Sequence, residues 1–283
     1  MKIEKILAGI DFEKDTERVL AYASYFAGAF GSSLTLLSVI DYLATPPAYL
    51  LPYIEEEKKS SEKKFEELKD ELKEAGIKVE TEVVVGRLQE SFDTAVRKMR
   101  SDMLMLGFAS HLFRRSSSEK LIKGLQVPML VVRGDKAESA HIGSFKIRKI
   151  LCPADFSEIS GKALHAAKEL ADKLSSQLDV LHVFPDRIIG KMETRDDKDR
   201  ALKDLNEDAK DQLKKILSDA GIKETGVIEA GEPDRRIVSF AKENDIDLIV
   251  MGARGLGLIK GMLIGGVTDA VLKSSPCPVL VIH

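Results

Sequence analysis

The sequence contains one unit that occurs twice. The segment KIEKILAGIDF at residues 2–12 recurs as KIRKILCPADF at residues 146–156, an offset of 144 residues. Further matches follow in the same order at offsets of 144 or 145: Leu20 with Leu164, Leu34 with Leu178, Val39 with Val183, Gly86 with Gly231 and Gly107 with Gly252. A repeat of this length indicates two copies of a whole domain rather than a solenoid of short repeats.

The duplication sets the predicted domain boundaries. We expect one domain at residues 1–134 and a second at residues 145–283. The polar stretch DKAESAHIGS at residues 135–144 is the predicted linker. At 283 residues, the chain is long enough for each copy to bury a core of its own.

Each copy alternates short apolar runs with longer amphipathic segments. In the second copy the apolar runs are residues 147–151, 178–184, 226–229, 248–251 and 279–282, and the amphipathic segments are residues 163–174, 199–220 and 234–243. Runs that are apolar throughout are typical of parallel strands covered on both faces. The alternating order therefore predicts an open, doubly wound α/β sheet in each half.

Composition excludes several classes of protein. A formal net charge of −3 gives no electrostatic basis for general nucleic-acid binding. The two cysteines, Cys152 and Cys277, are too few for a disulfide framework and are interpreted as small buried hydrophobes. No apolar run approaches the ~20 residues that span a bilayer. The first residues indicate a strand, not a signal peptide, so we expect a cytoplasmic protein without a membrane partner.

A glycine-rich loop in the second copy is the strongest sign of a ligand site. Gly252 and Gly255 follow an apolar run, and the pair Gly265–Gly266 precedes a helix-like segment at residues 267–273. Backbone N–H groups at a helix N-terminus lack helical partners and bind anions. The loop therefore predicts a phosphate site. Arg254 lies inside the loop, where it either reaches the phosphate or is a solvated loop residue.

Two further features fall at predicted strand ends in the same copy. Ligands of doubly wound sheets bind outside the carboxyl ends of the strands, where the strand order reverses. Pro153, Ala154 and Asp155 follow the first strand, and Val183 lies near the end of the second. Asp155 can accept from a ribose hydroxyl or help to hold Mg²⁺, or it can organise the turn into the next helix. Val183 can pack on a base, or it can be a core residue. His182 is interpreted as a core residue with a satisfied hydrogen bond.

These residues resemble the universal stress protein (UspA) family, specifically its ATP-binding branch. That branch carries the motif G-x2-G-x9-G-[ST], which Gly252, Gly255 and Gly265 match in spacing. PADFS at residues 153–157 and LHVF at residues 181–184 also resemble the ends of the first and second strands of the family. The resemblance implies two Rossmann-like domains of the adenine nucleotide alpha hydrolase type. Each has a five-stranded parallel sheet in the order 3-2-1-4-5.

The resemblance also implies ligands and assembly. It implies an adenine nucleotide, ATP, ADP or AMP, with Mg²⁺ held indirectly through Asp155. Family members dimerise through the last strand, so residues 129–133 and 279–282 are expected to pair within one chain. This pseudo-dimer is expected to form a homodimer. The sequence does not identify a protein partner.

The motif departs from the family pattern at Gly266, where Ser or Thr is usual. As a helix N-cap, glycine costs only a few tenths of a kcal/mol relative to Ser or Thr. It loses a hydroxyl donor but keeps its N–H and permits close approach. Thr268 can offer a hydroxyl instead, and Val267 and Thr268 complete the candidate site. We expect nucleotide binding to persist with a weaker preference for the γ-phosphate.

The first copy lacks most of the loop motif. It keeps Asp11 and Gly107, but Ser110 stands in place of Gly255. The following segment, residues 111–118, is shorter, and it places Arg115 and Ser116 at the positions of Gly265 and Gly266. A side chain at a close-approach position obstructs a phosphate. We therefore expect this half not to bind ATP in the family manner.

Three functions remain open from the sequence. The first is a nucleotide-binding stress or signalling protein whose partner contacts change with ATP or AMP occupancy. The second is an enzyme that slowly hydrolyses ATP, although the sequence allows no general base to be assigned and Asp155 is the only carboxylate that can be assigned near the phosphates. The third is an interaction module without a ligand.

Overall fold

The computed structural model describes residues 1–13, 15–41, 50–108, 121, 124–138, 140–185, 195–223, 226–255 and 264–283. The chain divides into two compact units. Residues 2–146 form the first, here called the first domain. Residues 147–283, together with Met1, form the second domain.

The first domain is an α/β unit with a wholly parallel sheet. Its elements are β1 (Lys5–Gly9), α1 (Thr16–Phe30), β2 (Ser33–Asp41), α2 (Leu51–Glu74), β3 (Val79–Gly86), α3 (Leu88–Met99), β4 (Met103–Gly107), β5 (Met129–Val132) and the short helix α4 (Asp135–Glu138). The strands are ordered β3-β2-β1-β4-β5, and each described pair of neighbours is parallel.

The second domain repeats this topology. Its elements are β6 (Lys149–Pro153), α5 (Glu158–Leu174), β7 (Gln177–Phe184), α6 (Arg195–Asp219), β8 (Val227–Ala230), α7 (Pro233–Glu243), β9 (Leu248–Gly252), α8 (Gly266–Ser274) and β10 (Val279–Ile282). The strands are ordered β8-β7-β6-β9-β10 and pair in parallel. Both sheets therefore have the order 3-2-1-4-5, which confirms the predicted fold.

Burial along the strands explains why the sequence pattern predicted this fold. β5, β9 and β10 are buried at every position, as their uninterrupted apolar runs require. The edge strands β3 and β8 are only partly buried and carry polar residues. All five apolar runs of the second copy coincide with strands, and its three amphipathic segments coincide with helices.

Two helices, α5 and α6, begin several residues earlier than their amphipathic patterns indicated, and α6 begins at Arg195 instead of residue 199. α5 begins at Glu158, not at residue 163, because Ser157 caps it. The Ser157 hydroxyl accepts a hydrogen bond from the backbone N–H of Ser160 at 3.2 Å, and such caps stabilise a helix by about 1 kcal/mol. This cap places the helix start directly after the turn that carries Asp155.

The stretch predicted as a linker packs against the first domain. It contains α4, and Ala137 and Ala140 are buried. Arg18 donates to the carboxylate of Glu138 at 3.1 Å. The ring of Phe145 lies 4.5 Å from that of Tyr22 and 4.9 Å from that of Tyr25. Arg18, Tyr22 and Tyr25 lie on one face of α1, so a single helical stripe holds this segment.

The structure also bears on the membrane segments and the cysteines considered from the sequence. Among the described helices, none has the length and apolar character needed to cross a membrane. Both cysteines are buried and unpaired with each other, as expected. Burial raises the pKa of the Cys152 thiol to about 12, so it is not a thiolate at neutral pH.

Candidate functional site

A cavity of about 680 Å³ lies at the carboxyl edge of the sheet in the second domain. Its volume is within the range of about 300–1,000 Å³ that is usual for small-molecule sites. All eleven candidate residues from the sequence line it: Pro153, Ala154, Asp155, Val183, Gly252, Arg254, Gly255, Gly265, Gly266, Val267 and Thr268. The structure therefore brings three separate sequence segments together around one cavity.

The two ends of the glycine loop meet at the start of α8. Gly265 donates its N–H to the carbonyl of Ala253 at 2.8 Å. Gly265, and not Gly266 as predicted, is the N-cap of α8, and a Cβ added at Gly265 would be in ordinary van der Waals contact with the backbone N of Gly255. The first N–H groups of α8 have no helical partners and lie at the positive end of the helix dipole. This end of the cavity therefore suits an anion. Residues 256–263 lie outside the described part of the chain.

Gly255 is required by its contact with Asp155. A Cβ atom added at Gly255 would come closer to Oδ2 of Asp155 than any van der Waals contact allows. The loop and the turn after β6 can approach each other in this way only because residue 255 has no side chain. The carboxylate and the N–H-rich loop are thereby held side by side.

Asp155 organises the turn and also faces the cavity. Its Oδ1 atom accepts hydrogen bonds from the N–H of Ser157 at 3.1 Å and from the hydroxyl of Ser157 at 2.6 Å. Its Oδ2 atom lies on the side of Gly255. Oδ1 therefore organises the turn, and Oδ2 is the oxygen on the side of the glycine loop.

Thr268 does not replace the hydroxyl that is missing at Gly266. Its Oγ1 atom is buried and donates to the carbonyl of Gly252 at 2.9 Å. A hydroxyl has a single proton to donate, so the prediction that Thr268 offers it to a phosphate is wrong. Thr268 instead ties α8 to the end of β9. A Cβ added at Gly266 would meet no heavy atom within 4 Å, so the position where the family carries Ser or Thr is open space.

Arg254 is partly buried in the lining of the cavity. Its Nε atom is buried and has no hydrogen-bond partner among the described residues. Leaving such a donor unsatisfied costs about 1–3 kcal/mol, so this position favours an acceptor. The pKa of His283 is lowered, first by burial and then by the positive charge of Arg254. The burial of Nε argues against a fully solvated loop arginine.

His182 contacts the site, which the sequence did not predict. It lies in β7, is half-buried and lines the cavity, so its placement in the core is wrong, whereas its expected hydrogen bond is present. Its Nδ1 atom lies 2.7 Å from the carbonyl of Ala154, and its ring stacks on Phe156 at 4.2 Å. Burial lowers the pKa of His182, against opposing effects of the Ala154 hydrogen bond and the charge of Asp155. The only signal in the sequence was its position next to Val183.

Other lining residues were also missed. They are Ser160, Leu181, Phe184, Pro185, Pro233, Ile237 and Met251. Pro233 and Ile237 come from the first two turns of α7, about 50 residues beyond Val183 in the sequence. No motif marks them, because their role depends only on where α7 packs against α8.

The acidic side chains do not form a metal-binding cluster. Among the described residues, no group of three or more His, Cys, Asp or Glu side chains is arranged to hold a metal ion. Asp155 is the one carboxylate in the described lining of the cavity. A metal ion at this site would therefore need oxygen ligands from a bound phosphate or from water.

The same edge of the first domain carries different side chains. Asp15 lies against Gly107. A Cβ atom added at Gly107 would be 2.8 Å from the Cβ atom of Asp15. The corresponding neighbour of Gly252 is Ile159, whose Cγ2 atom is at the same distance. Arg18 pairs with Asp15 at 3.0 Å and thereby fixes a carboxylate at this edge.

A second carboxylate lies at the end of β2. Oδ1 of Asp41 accepts from the N–H of Leu88 at 3.1 Å, at the start of α3. Pro185, which lines the cavity of the second domain, is its counterpart. The loop predicted to be degenerate, with Ser110, Arg115 and Ser116, lies outside the described residues.

The fold and the cavity define a protein of two tandem doubly wound α/β domains with a ligand-type cavity at one sheet edge. The profile of the Universal stress protein family matches residues 2–133 and residues 146–283. The chain therefore belongs to the universal stress protein family, with both copies of its repeat matched.

Individual relatives match one copy or both. The universal stress protein MJ0577 of Methanocaldococcus jannaschii is 34% identical over 156 residues, which cover 49% of this chain and 96% of the relative. The universal stress protein YxiE of Bacillus subtilis is 31% identical over 145 residues, 48% of this chain and 98% of the relative. A universal stress protein structure from Archaeoglobus fulgidus covers 99% of this chain and 96% of its own, with 23% identity and a TM-score of 0.73. That structure supports the tandem fold.

Proposed function

We propose that this universal stress protein binds an adenine nucleotide in the cavity of its second domain. We further propose that occupancy by ATP, ADP or AMP regulates its contacts with a partner in stress response or signalling. The observation that carries the proposal is the convergence of all eleven candidate residues on one cavity. Those residues come from three segments up to 115 residues apart, counted from Pro153 to Thr268.

The chemistry of the lining suits the three parts of a nucleotide. Val183, Ile237 and Met251 offer apolar surface for a base. The start of α8 and Arg254 offer N–H donors and positive charge for phosphate. Asp155, whose Oδ2 atom lies beside Gly255, can accept from a ribose hydroxyl. The base, the sugar and the phosphates are therefore assigned to different walls of one cavity.

The nucleotide is expected to be held with little preference for its terminal phosphate. Gly266 supplies no hydroxyl, and that of Thr268 is committed to Gly252. Calorimetric titration with ATP, ADP and AMP tests this expectation, and we expect the three affinities to lie within about tenfold of one another. A much larger loss from ATP to AMP would contradict it.

Mg²⁺ is proposed only as an indirect component of the site. Asp155 is a single carboxylate, and Mg²⁺ at such a site keeps several waters and binds phosphate oxygens. Mg²⁺ should therefore strengthen ATP binding and leave AMP binding nearly unchanged. Titrations in the presence of Mg²⁺ and of a chelator measure the difference.

The experiment that tests the function most broadly is identification of the ligand that accompanies the protein. Mass spectrometry of small molecules released from the denatured purified protein should detect an adenine nucleotide. Detection of none, together with no binding in titrations, would favour the interaction module without a ligand. A steady-state ATPase assay covers the remaining alternative: turnover that Asp155→Ala abolishes would establish an enzyme.

The expectations about assembly and location stay predictions. Pairing of the last strands and further dimerisation are expected from the resemblance, and a cytoplasmic location is the expectation stated from the sequence. Light scattering on the purified full chain measures the oligomeric state. Fractionation of the source cells measures the location.

A further inference from the structure

Both domains contain the same strained turn after their first strand. Asp11 and Asp155 are each followed by a phenylalanine with positive φ, 57° at Phe12 and 65° at Phe156. A bulky residue in this left-handed region is strained by roughly 1–3 kcal/mol. Such a backbone persists only where surrounding contacts hold it. The turn that carries each aspartate must therefore be anchored.

In the second domain, one side chain anchors both neighbours of Asp155. Nδ1 of His182 lies 2.7 Å from the carbonyl oxygen of Ala154, the residue before Asp155. The His182 ring stacks on Phe156, the residue after Asp155, with centroids 4.2 Å apart and an angle of 26° between the planes. A carbonyl oxygen only accepts hydrogen bonds, so Nδ1 carries the hydrogen and donates it.

In the first domain, the corresponding anchor is absent. Ser38 occupies the position of His182, at the offset of 144 residues that relates β2 to β7. Phe12 packs on Phe65 of α2 instead, with ring centroids 4.8 Å apart. Lys64 lies over the same ring, 5.1 Å from its centroid. The same turn is thus held from a helix in one domain and from the neighbouring strand in the other.

We infer that His182 is a positioning residue that holds Asp155 in place for the nucleotide. It fixes the backbone on both sides of Asp155, while Ser157 fixes Oδ1. The remaining oxygen, Oδ2, is then held at the edge of the cavity beside Gly255. His182 acts on the ligand through Asp155. This inference rests on the proposed nucleotide binding.

A double-mutant cycle on AMP affinity tests the inference. His182→Phe keeps an aromatic ring for Phe156 and removes the donor to Ala154. We expect it to weaken AMP binding by about tenfold in the otherwise wild-type protein and by less than about twofold in Asp155→Ala, because coupled residues are not additive. His182→Asn restores a donor near the position of Nδ1, and we expect it to recover part of the lost affinity.

Matched controls separate positioning from loss of the fold. His165 is exposed on α5 of the same domain, and we expect His165→Phe to leave AMP affinity unchanged. Thermal unfolding of each variant identifies any that fails to fold, and the cycle then uses His182→Leu, which also lacks a donor to Ala154, in place of His182→Phe. Effects of His182 and Asp155 that simply add would overturn the inference and leave the proposed function intact. Absence of AMP binding by the wild-type protein would overturn both.

Discussion

The two domains share a fold but differ at the carboxyl edge of their sheets. Both have the strand order 3-2-1-4-5 and an aspartate in a turn with positive φ. At the end of the fourth strand, however, the second domain packs Ile159 against Gly252, whereas the first packs Asp15 against Gly107. At this edge of the first domain, a carboxylate paired with Arg18 therefore stands where the second domain has an apolar side chain.

This difference shows that fold and site are encoded by separate residues. Buried strand residues such as those of β4 and β9 are apolar in both copies and maintain the sheet. The residues beside the strand ends differ between the copies, as Asp15 and Ile159 do, while the strand order is the same. Duplication therefore preserved the architecture twice, while only the second copy retains the full glycine motif.

The largest expected effect comes from Gly255. In Gly255→Ala, the new Cβ overlaps Oδ2 of Asp155, so the Asp155 carboxylate must leave its position beside the loop. We expect nucleotide affinity to fall by roughly 100-fold, as overpacking costs of about 1–3 kcal/mol allow. Calorimetric titration with AMP measures the change.

Gly161→Ala is the matched control for this substitution. Gly161 lies in α5 of the same domain, and an added Cβ meets no atom within 4 Å. Alanine is favoured over glycine in a helix by about 0.5–1 kcal/mol. We expect Gly161→Ala to raise the thermal stability slightly and to leave affinity unchanged. Equal losses in the two variants would contradict a specific role for Gly255.

Arg254→Met removes the charge of the loop while keeping an unbranched side chain. We expect ADP and ATP affinities to fall by about tenfold, the scale of one charge-assisted hydrogen bond. Removal of the positive charge should also raise the pKa of His283, which Arg254 now helps to lower. NMR titration of the His283 ring measures this shift without any nucleotide. Unchanged affinities would indicate that Arg254 is a structural loop residue.

Gly266→Ser restores the hydroxyl that the family motif carries. The space at Gly266 is open, so the new side chain fits without displacing a neighbour. One added hydrogen bond is worth about 0.5–1.5 kcal/mol, so we expect ATP affinity to rise by about three- to tenfold. AMP affinity should change less, which a competition titration between the two nucleotides resolves. A loss of ATP affinity would contradict the assigned position of the phosphates.

The stability of the second domain should fall at acidic pH because of His182. Burial lowers its pKa in the folded state below the ordinary value of 6.5. As the pH falls below about 6.5, His182 therefore binds a proton more readily in the unfolded state than in the folded state. The contribution of His182 to the free energy of unfolding is complete above about pH 6.5 and is lost as the pH falls through the pKa of the folded state. Chemical unfolding from pH 7.5 to pH 5, roughly the range in which histidines titrate, measures it.

His182→Asn should reduce this dependence on pH. His283, whose pKa is also lowered, contributes a second component in the same direction, so the variant should retain part of the slope. A wild-type stability that is unchanged, or that rises, toward pH 5 would contradict the burial of the neutral His182 ring.

The smallest expected effect concerns the salt bridge between Arg18 and Glu138 in the first domain. Glu138→Gln removes the charge partner of Arg18, but the Glu138 side chain is 57% exposed. Exposed ion pairs contribute about 0–1 kcal/mol to stability. We therefore expect only a slight decrease in the free energy of unfolding, measured by chemical unfolding. Phe145→Ala is the matched comparison, because it removes the ring packed on Tyr22 and Tyr25, and it should destabilise the domain more. The reverse order would show that charge, not ring packing, holds this segment on α1.

The periodic patterns and the motif spacing of the sequence predict the fold and the approximate position of the site. Strands, helices and the convergence of the glycine loop with Asp155 follow from apolar runs and from the topology of parallel sheets. Thr268 was assigned to the ligand because its hydroxyl is near the loop in sequence. Its actual partner, the carbonyl of Gly252, depends on how closely α8 packs onto β9.

His182 and α7 were missed for a similar reason. A histidine within an apolar strand has the same pattern whether its ring points into a core or lies at a strand end. Pro233 and Ile237 enter the lining only through the packing of α7, which no local motif records. Contacts between elements that are distant in the sequence are thus the part of the site that local sequence patterns do not predict.

The stoichiometry of nucleotide binding tests the central comparison most directly. Calorimetric titration of the wild-type chain with AMP, repeated on Gly255→Ala and on Gly107→Ala, counts the sites in each domain. We predict one AMP per chain, lost in Gly255→Ala and retained in Gly107→Ala. Two equivalent sites, or one site lost only in Gly107→Ala, would contradict the assignment of nucleotide binding to the second domain.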